Sequence, residues 1–310
     1  MQRPQELRNL FRLPLPRSFQ LGSFPLRSHL RWILIRIVIK TFCGLTNTSI
    51  QSLERNKVAS RFEVFALRLP PRIQPFDLYE AILKTNFRFK QNDIVIVSSK
   101  FVSISEGAVV QIDKIRVSHK AKVTAKKFQM DEKLTELVLR EADQVYGGIP
   151  GFLLCKKNGM LCPNAGIDKS NIPRGYAVLY PHLPFESADK LRLNFINNNR
   201  LKLFVVISDS RLMPGRLGTT GIAIAVSGFK PVIDHRGEQD LFGNILRVTM
   251  RAVADGLASV GVALMGEGRE STPVVVVRGF EVNEEDRKMN WQDLAIDPLE
   301  DIYIRSFKSK

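Results

Sequence analysis

An uninterrupted apolar run in the second half of the chain ends abruptly at an acidic residue. Residues 203–207 read LFVVI, and Ser208, Asp209 and Ser210 follow before a glycine-rich stretch that ends at Gly228. Because the run lacks polar alternation, it predicts a strand buried on both faces, as in open α/β sheets. Ligands of such sheets bind outside the carboxyl ends of the strands, so Asp209 is a candidate functional residue. The structural alternative is an aspartate that caps a turn.

The spacing of apolar residues predicts further elements along the chain. Strands are expected at 62–69, 94–97 and 273–277, and helices at 77–85, 131–146, 188–197 and 240–265. A hairpin that turns at Asn158-Gly159 is expected to join 152–155 to 160–162. The polar residues of 98–107 predict a loop, which is either a solvated turn, the interpretation favoured when the stretch is taken alone, or a loop able to meet phosphate. This mixture of strands and helices indicates the α/β class, or more broadly a mixed α+β architecture.

Charge divides the chain into two predicted regions. The net charge is +15, of which residues 1–60 carry +8 and the other 250 residues +7. Residues 1–60 fit a disordered basic extension, an Arg-rich targeting segment or a mistaken upstream start, and we favour the mistaken start. Residues 61–310 are expected to form one domain. The apolar stretch 32–42 is too short to span a membrane and contains Arg36 and Lys40.

Composition also excludes several classes of function. The three cysteines form no CxxC pair, which argues against a disulfide framework or a zinc cluster and favours a reducing cytoplasm. No Walker loop occurs and no GxGxxG motif follows a strand. A basic nucleic-acid-binding protein is one alternative suggested by the net charge, but the aromatic residues are not interleaved with basic ones as stacking platforms.

Three acids follow or end apolar elements beside small polar residues: Asp168, Asp209 and Glu267. Carboxylates and nucleotide phosphates are the oxygen ligands that Mg²⁺ and Mn²⁺ prefer. If the three acids converge, they form a divalent-metal site. Their mutual repulsion in the metal-free protein would then let Asp209→Asn keep or raise stability.

Three long motifs resemble one known family. CPNAGIDKSN at 162–171, VVISDS at 205–210 with GTTGIAIAVSG, and MGEGRESTPVVVVRG at 265–279 are similar to the coenzyme F420-0:L-glutamate ligase family, over roughly residues 62–280. The resemblance implies the F420 gamma-glutamyl ligase-like fold, with mixed sheets, packed helices and an intertwined homodimer. It also implies a GTP-dependent ligase that joins L-glutamate to the carboxylate of F420-0 through an acyl phosphate. Mg²⁺ or Mn²⁺ and K⁺ are the implied cofactors, and neither nucleic acid nor a membrane is an expected partner.

The resemblance also implies site residues. Those for the divalent metal are Asp168, Asp209, Ser210 and Glu267. Those for GTP are Pro70, Pro71, Arg72, Ile73, Ser99, Lys100, Ile104, Asn171, Met265, Gly266, Glu267, Gly268, Arg269, Glu270, Ser271 and Thr272. Ile104 stands where the family usually has Lys, and Lys100 would supply that charge. A nucleotide-dependent amide ligase acting on another carboxylic acid is the remaining alternative within this fold.

Overall fold

The computed structural model describes residues 61–308 of the chain. The predicted extension at 1–60 and its apolar stretch lie outside the described residues. The strands are β1 Glu63–Leu67, β2 Ile94–Ser98, β3 Val109–Gln111, β4 Gln144–Ile149, β5 Phe152–Lys157, β6 Met160–Pro163, β7 Tyr176–Val178, β8 Phe204–Leu212, β9 Thr219–Ser227, β10 Val232–Asp234, β11 Met250–Ala252 and β12 Val274–Arg278. The α-helices are α1 Leu78–Leu83, α2 Ser99–Ser105, α3 His119–Phe128, α4 Glu132–Glu141, α5 Pro184–Asn199, α6 Val253–Met265 and α7 Ile302–Lys308.

The central sheet has five strands in the order β1-β12-β2-β8-β9. Strands β2 and β8 are parallel, and the other neighbouring pairs are antiparallel. The side chains of 94–97 and 204–207 are almost fully buried. Burial of consecutive residues on both strand faces explains why neither run alternates, and it confirms both predicted strands.

Helix α6 packs against β8 and β9, and one glycine permits the close approach. A Cβ atom on Gly221 of β9 would lie 2.1 Å from the Ala258 carbonyl oxygen of the helix. Backbone atoms cannot give way as a flexible side chain can, so only glycine fits there. The carboxyl end of α6 is thereby held over the sheet edge where β2 and β8 end.

A second hydrophobic core lies under two smaller sheets. Strands β4-β5-β6 form one of them and β3-β7 the other, and α4 contributes Leu137 and Val138 to the buried cluster. The hairpin between β5 and β6 turns at Asn158 and Gly159, both with positive φ, as predicted. The segment that contains Asp168 follows β6 in this part of the fold.

Several predicted elements are confirmed, including β1, β12, α5 and α1, which Asp77 caps through the Glu80 amide. The structure corrects two other predictions in this part of the chain. The predicted polar loop at 98–107 is mostly helix α2, because Ser98 caps its first turn by accepting from the Phe101 amide. The predicted helix 131–146 ends at Glu141, because Ala142 is extended and the Asp143 amide pairs with the Lys156 carbonyl of β5.

The predicted helix 240–265 was wrong over its first half. Residues 235–249, which we term the arm, form an extension of the β10-β11 hairpin, and α6 begins only at Val253. Asp240 accepts from the Phe242 and Asn244 amides, which favours a turn over a helix. The apolar face of a helix here would bury Leu241, but this residue is 98% exposed.

Within the described part of the chain, no helix combines the length and hydropathy required to cross a bilayer.

The contact at Gly221 makes a stability prediction. Gly221→Ala should lower the free energy of unfolding by about 1–3 kcal/mol, because the new methyl group overlaps the α6 backbone. Gly256→Ala is the matched control. Gly256 lies within α6 and its Cβ would meet nothing within 4 Å, so stability should rise by up to about 1 kcal/mol. Urea unfolding measures both, and equal effects would contradict the packing described.

Candidate active site

The parallel strands β2 and β8 end side by side and bring two functional residues together. Their last pair in register is Ser98 with Ser208, so Ser99 and Asp209 follow at the same sheet edge. The Ser99 hydroxyl donates to Asp209 Oδ1 at 2.9 Å. Strand β8 does not stop at Ser208, as the sequence suggested, but continues beside β9 to Leu212. Asp209 is therefore fixed by a strand and not by a loop.

A β-bulge in β9, with Ile224 as the extra residue, lies beside this strand end. The β8-β9 register shifts between Ile207 and Ser208, which face Ala225 and Ala223. Asp255 in the first turn of α6 accepts from the Ala223 amide at 2.8 Å and so holds the bulged segment. Bulges bend a strand and redirect its side chains, and they are common beside active sites.

Arg211 is buried beneath the site, with only 5% of its surface exposed. Its Nη2 donates to Asp209 Oδ2 at 2.9 Å and to the Tyr180 hydroxyl at 3.2 Å, and its Nη1 donates to the Leu161 carbonyl at 3.2 Å. Although burial lowers the pKa of Arg211, Tyr180 and Asp209 together raise it above its ordinary value. An isolated arginine in a sequence is more often a solvated base, so the burial of Arg211 could not be predicted from the sequence.

Asp168 lies across the site on the segment that follows β6. Its backbone pairs with Val178, which fixes its position, and the Ser170 amide donates to Oδ1 at 2.7 Å. Lys100 Nζ lies 2.6 Å from Oδ2. Burial alone would raise the pKa of Asp168, but Lys100 and Ser170 hold it below its ordinary value. Lys100 belongs to α2, so its ammonium group links this helix to the segment that contains Asp168.

Glu267 lies in the loop that follows α6, on the opposite side of Asp209. Its Oε1 accepts from the Ser210 hydroxyl and, at 2.9 Å, from the Thr219 hydroxyl. Ser210 belongs to β8 and Thr219 begins β9, so the loop is tied to the end of the central sheet. In the same loop, Glu270 accepts from the Gly268 amide at 2.8 Å.

These elements surround a cavity of about 770 Å³. The predicted residues that line it are Pro70, Pro71, Arg72, Ser99, Lys100, Ile104, Asp168, Asn171, Asp209, Ser210, Met265, Gly266, Glu267, Gly268, Arg269, Glu270, Ser271 and Thr272. Ile73 is not part of the lining. Sequence reasoning missed other lining residues, among them Phe152, Tyr180 and Thr219, because each lies outside the motifs that carried the resemblance or carries no charge.

Four buried side-chain polar atoms of the cavity lining have no hydrogen-bond partner among residues 61–308. They are Arg72 Nε, Ser103 Oγ, Ser208 Oγ and Arg211 Nε. Nearly all buried polar atoms in native proteins are hydrogen-bonded, so a concentration of exceptions around one cavity fits a site completed by polar ligands or water. No sequence signal could identify these atoms, since burial of a serine hydroxyl depends on the neighbouring elements.

The donor set fits a hard divalent cation. Asp168, Asp209, Glu267 and the Ser210 hydroxyl offer the oxygen ligands that Mg²⁺ and Mn²⁺ prefer, around one cavity. Over residues 61–308, however, no three acidic, histidine or cysteine side chains already form a cluster that could hold an ion. Two of the acids instead pair with Lys100 and Arg211. The four ligand positions stay a prediction, and the mutual repulsion assumed for the acids is offset by these cations.

Comparisons with known proteins agree on one family. The sequence model of the F420-0:gamma-glutamyl ligase family matches residues 73–279. The coenzyme F420:L-glutamate ligase of Methanocaldococcus jannaschii is 37% identical over 227 residues, which cover 73% of this chain and 91% of that protein. The enzymes of the same name from Archaeoglobus fulgidus and Methanopyrus kandleri are 36% and 34% identical, over 72% and 69% of this chain and 89% and 87% of their own lengths.

The buried ion pair between Asp209 and Arg211 reverses the change in stability that the sequence predicted for Asp209→Asn. Removal of this charge leaves the Arg211 guanidinium buried without its counter-ion, so the free energy of unfolding should fall by about 3 kcal/mol. The control is Asp234→Asn, which breaks an exposed pair with Arg236 and should leave the melting temperature almost unchanged. Thermal unfolding without metal measures both, and a stability gain for Asp209→Asn would restore the repulsion hypothesis.

Proposed function

Because the chain belongs to the F420-0:gamma-glutamyl ligase family and is a ligase, we propose that it joins L-glutamate to the carboxylate of coenzyme F420-0 with cleavage of GTP. The observation that carries this proposal is the gathering of the three family motifs around one cavity, although they lie up to about a hundred residues apart in sequence. The relatives named coenzyme F420:L-glutamate ligase support the acceptor and the amino acid. The choice of GTP rests on the family resemblance.

The proposed reaction has two steps. An oxygen of the F420-0 carboxylate attacks the γ-phosphorus of GTP and GDP leaves, which yields an acyl phosphate. The glutamate nitrogen then attacks the acyl carbon, phosphate leaves, and the nitrogen loses a proton. Both steps place negative charge in the cavity, so positive groups and hydrogen-bond donors around it stabilise the reacting atoms.

The residues of the chain would divide the work of binding and orientation. The loop at 265–272 and residues 70–72 would hold the nucleotide along one side of the cavity. Lys100 can turn from Asp168 toward a phosphate, since its side chain is partly exposed. It would supply the positive charge that Ile104 lacks. Asp168, Asp209, Ser210 and Glu267 would hold Mg²⁺ or Mn²⁺. The bound metal would neutralise phosphate charge. A K⁺ requirement is proposed from the resemblance alone, and action in the cytoplasm is proposed from the cysteine usage.

A homodimer is also proposed, and the arm supports it. Leu241, Phe242 and Val248 are 98%, 90% and 86% exposed on one short hairpin. Concentrated apolar exposure of this kind marks a protein interaction surface. The arm extends from β10 and β11, whose strand pair continues into it through the His235 amide and the Thr249 carbonyl. A second copy of the chain is the partner that the family resemblance implies.

The dimer proposal is tested by light scattering after size exclusion. Replacing Leu241 and Phe242 with Ser should convert a dimer to a monomer, because the change removes most of the apolar area of the arm. Leu299→Ser alters another exposed leucine and should leave the mass unchanged. A monomeric wild-type protein would contradict the proposal.

The ligase proposal is tested by mass spectrometry of reactions that contain F420-0, GTP, Mn²⁺ and L-glutamate. Glutamylated F420, GDP and phosphate should form in equal amounts in the first turnover. Glu267→Gln keeps the hydrogen bonds and the exposed position of the side chain but removes its charge, so kcat/KM should fall at least about 100-fold without loss of stability. Glu281→Gln, exposed outside the cavity, is the control.

Two outcomes of that assay would count against parts of the proposal. Absence of product from F420-0, with turnover of another carboxylic acid, would replace the acceptor. Full activity of Glu267→Gln would remove Glu267 from the metal ligands.

A further inference from the structure

The cavity has two walls of different origin. One consists of residues 69–72 and 265–273, to which the proposed function assigns the nucleotide. The other is built by residues 162–171 and 178–181, of which Ala165, Ile167 and Leu179 belong to the second hydrophobic core and Tyr180 to the core of the central sheet. Of the residues proposed for GTP, only Asn171 lies on this second wall. Most of the second wall is therefore available to another substrate.

Phe152 stands at the edge of the second wall. It begins β5, lines the cavity and is 46% exposed. Within the described part of the chain, its ring stacks on no other aromatic ring and joins neither hydrophobic core. A phenylalanine in this position contributes little to packing, so its large apolar ring is free for a ligand.

The backbone around Phe152 is nevertheless held firmly. The Leu153 amide donates to Asn164 Oδ1 at 2.9 Å, and the Gly151 amide donates to the Phe128 carbonyl at 2.8 Å. Both neighbours of Phe152 are thus anchored, one of them to a residue that itself lines the cavity. A ring on an anchored backbone loses little conformational entropy when it binds a flat ligand.

We propose that Phe152 is a stacking platform for a planar heteroaromatic ring, and that this ring belongs to the flavin-like acceptor F420-0. The proposal rests on the proposed function, since that function places the nucleotide along the opposite wall. The guanine base offers the same chemistry and is the second possible source of the ring. The position of Phe152 on the wall left free by the nucleotide residues favours the acceptor.

Steady-state kinetics of Phe152→Ala test the platform. Loss of stacking should raise KM for F420-0 about 10-fold, leave KM for GTP and glutamate unchanged and keep kcat within about twofold. Phe152→Tyr keeps a ring of the same shape and should restore the wild-type KM. Because Phe152 is exposed and outside both cores, the variant should unfold at the wild-type temperature.

Ile149→Ala is the matched control. Ile149 pairs directly with Phe152 across β4 and β5 and is 65% exposed, but it does not line the cavity. Its replacement should change no KM. An equal effect of Ile149→Ala, or no effect of Phe152→Ala, would overturn the platform.

The other outcomes are distinguishable. If Phe152→Ala raises KM for GTP and not for F420-0, the ring is guanine and the assignment to the acceptor is overturned. If the wild-type protein makes no product from F420-0, the proposed function fails, and with it this assignment. An active wild-type protein with an unaffected Phe152→Ala variant overturns the platform alone.

Discussion

The parallel pairing of β2 with β8 is the constraint on which the site depends. Both strands are buried on both faces, so their register is fixed by packing as well as by hydrogen bonds. The pairing ends at Ser98 and Ser208, where the two segments separate. Helix α2 follows β2, and β8 continues beside β9. A polar edge is thus created within an apolar sheet. Asp209 and Ser99 meet there because each directly follows the last residue of the β2-β8 pairing.

Charge balance around this edge explains why the acids are tolerated. Asp209 is paired with a buried guanidinium, Asp168 with an ammonium, and Glu267 with two hydroxyl donors. A buried charge without a partner is strongly destabilising, so the pair with Arg211 lets the fold hold Asp209, whereas the side chains of Asp168 and Glu267 keep contact with solvent. Arg211 also connects β8 to the smaller sheets, since its partner Leu161 lies in β6 and its partner Tyr180 closely follows β7. The geometry of Asp209 therefore depends on both halves of the fold.

Much of this architecture could be predicted from the sequence, because the decisive signals are local. A strand buried on both faces reads as a continuous apolar run, and Asn-Gly selects a tight hairpin, so β2, β8 and the β5-β6 hairpin were predicted correctly. The motifs also led to residues that share one cavity. The arm was predicted as part of a helix because its apolar spacing happens to match a helical period. The hydrogen-bonded turn at Asp240 and the exposure of Leu241 distinguish it from a helix in the described part of the chain.

The features that could not be predicted depend on distant contacts. Whether Arg211 is a solvated base or a buried counter-ion is decided by Tyr180 and Leu161, which lie thirty to fifty residues away. The exposure of Phe152 likewise follows from how the hairpin meets the segment at Asn164. The most direct test of the whole account is anomalous X-ray diffraction at the manganese edge from crystals grown with Mn²⁺ and a non-hydrolysable GTP analogue. The account predicts a peak within coordination distance of Asp209, with Asp168 and Glu267 as further ligands, and a peak elsewhere or none in the cavity would contradict it.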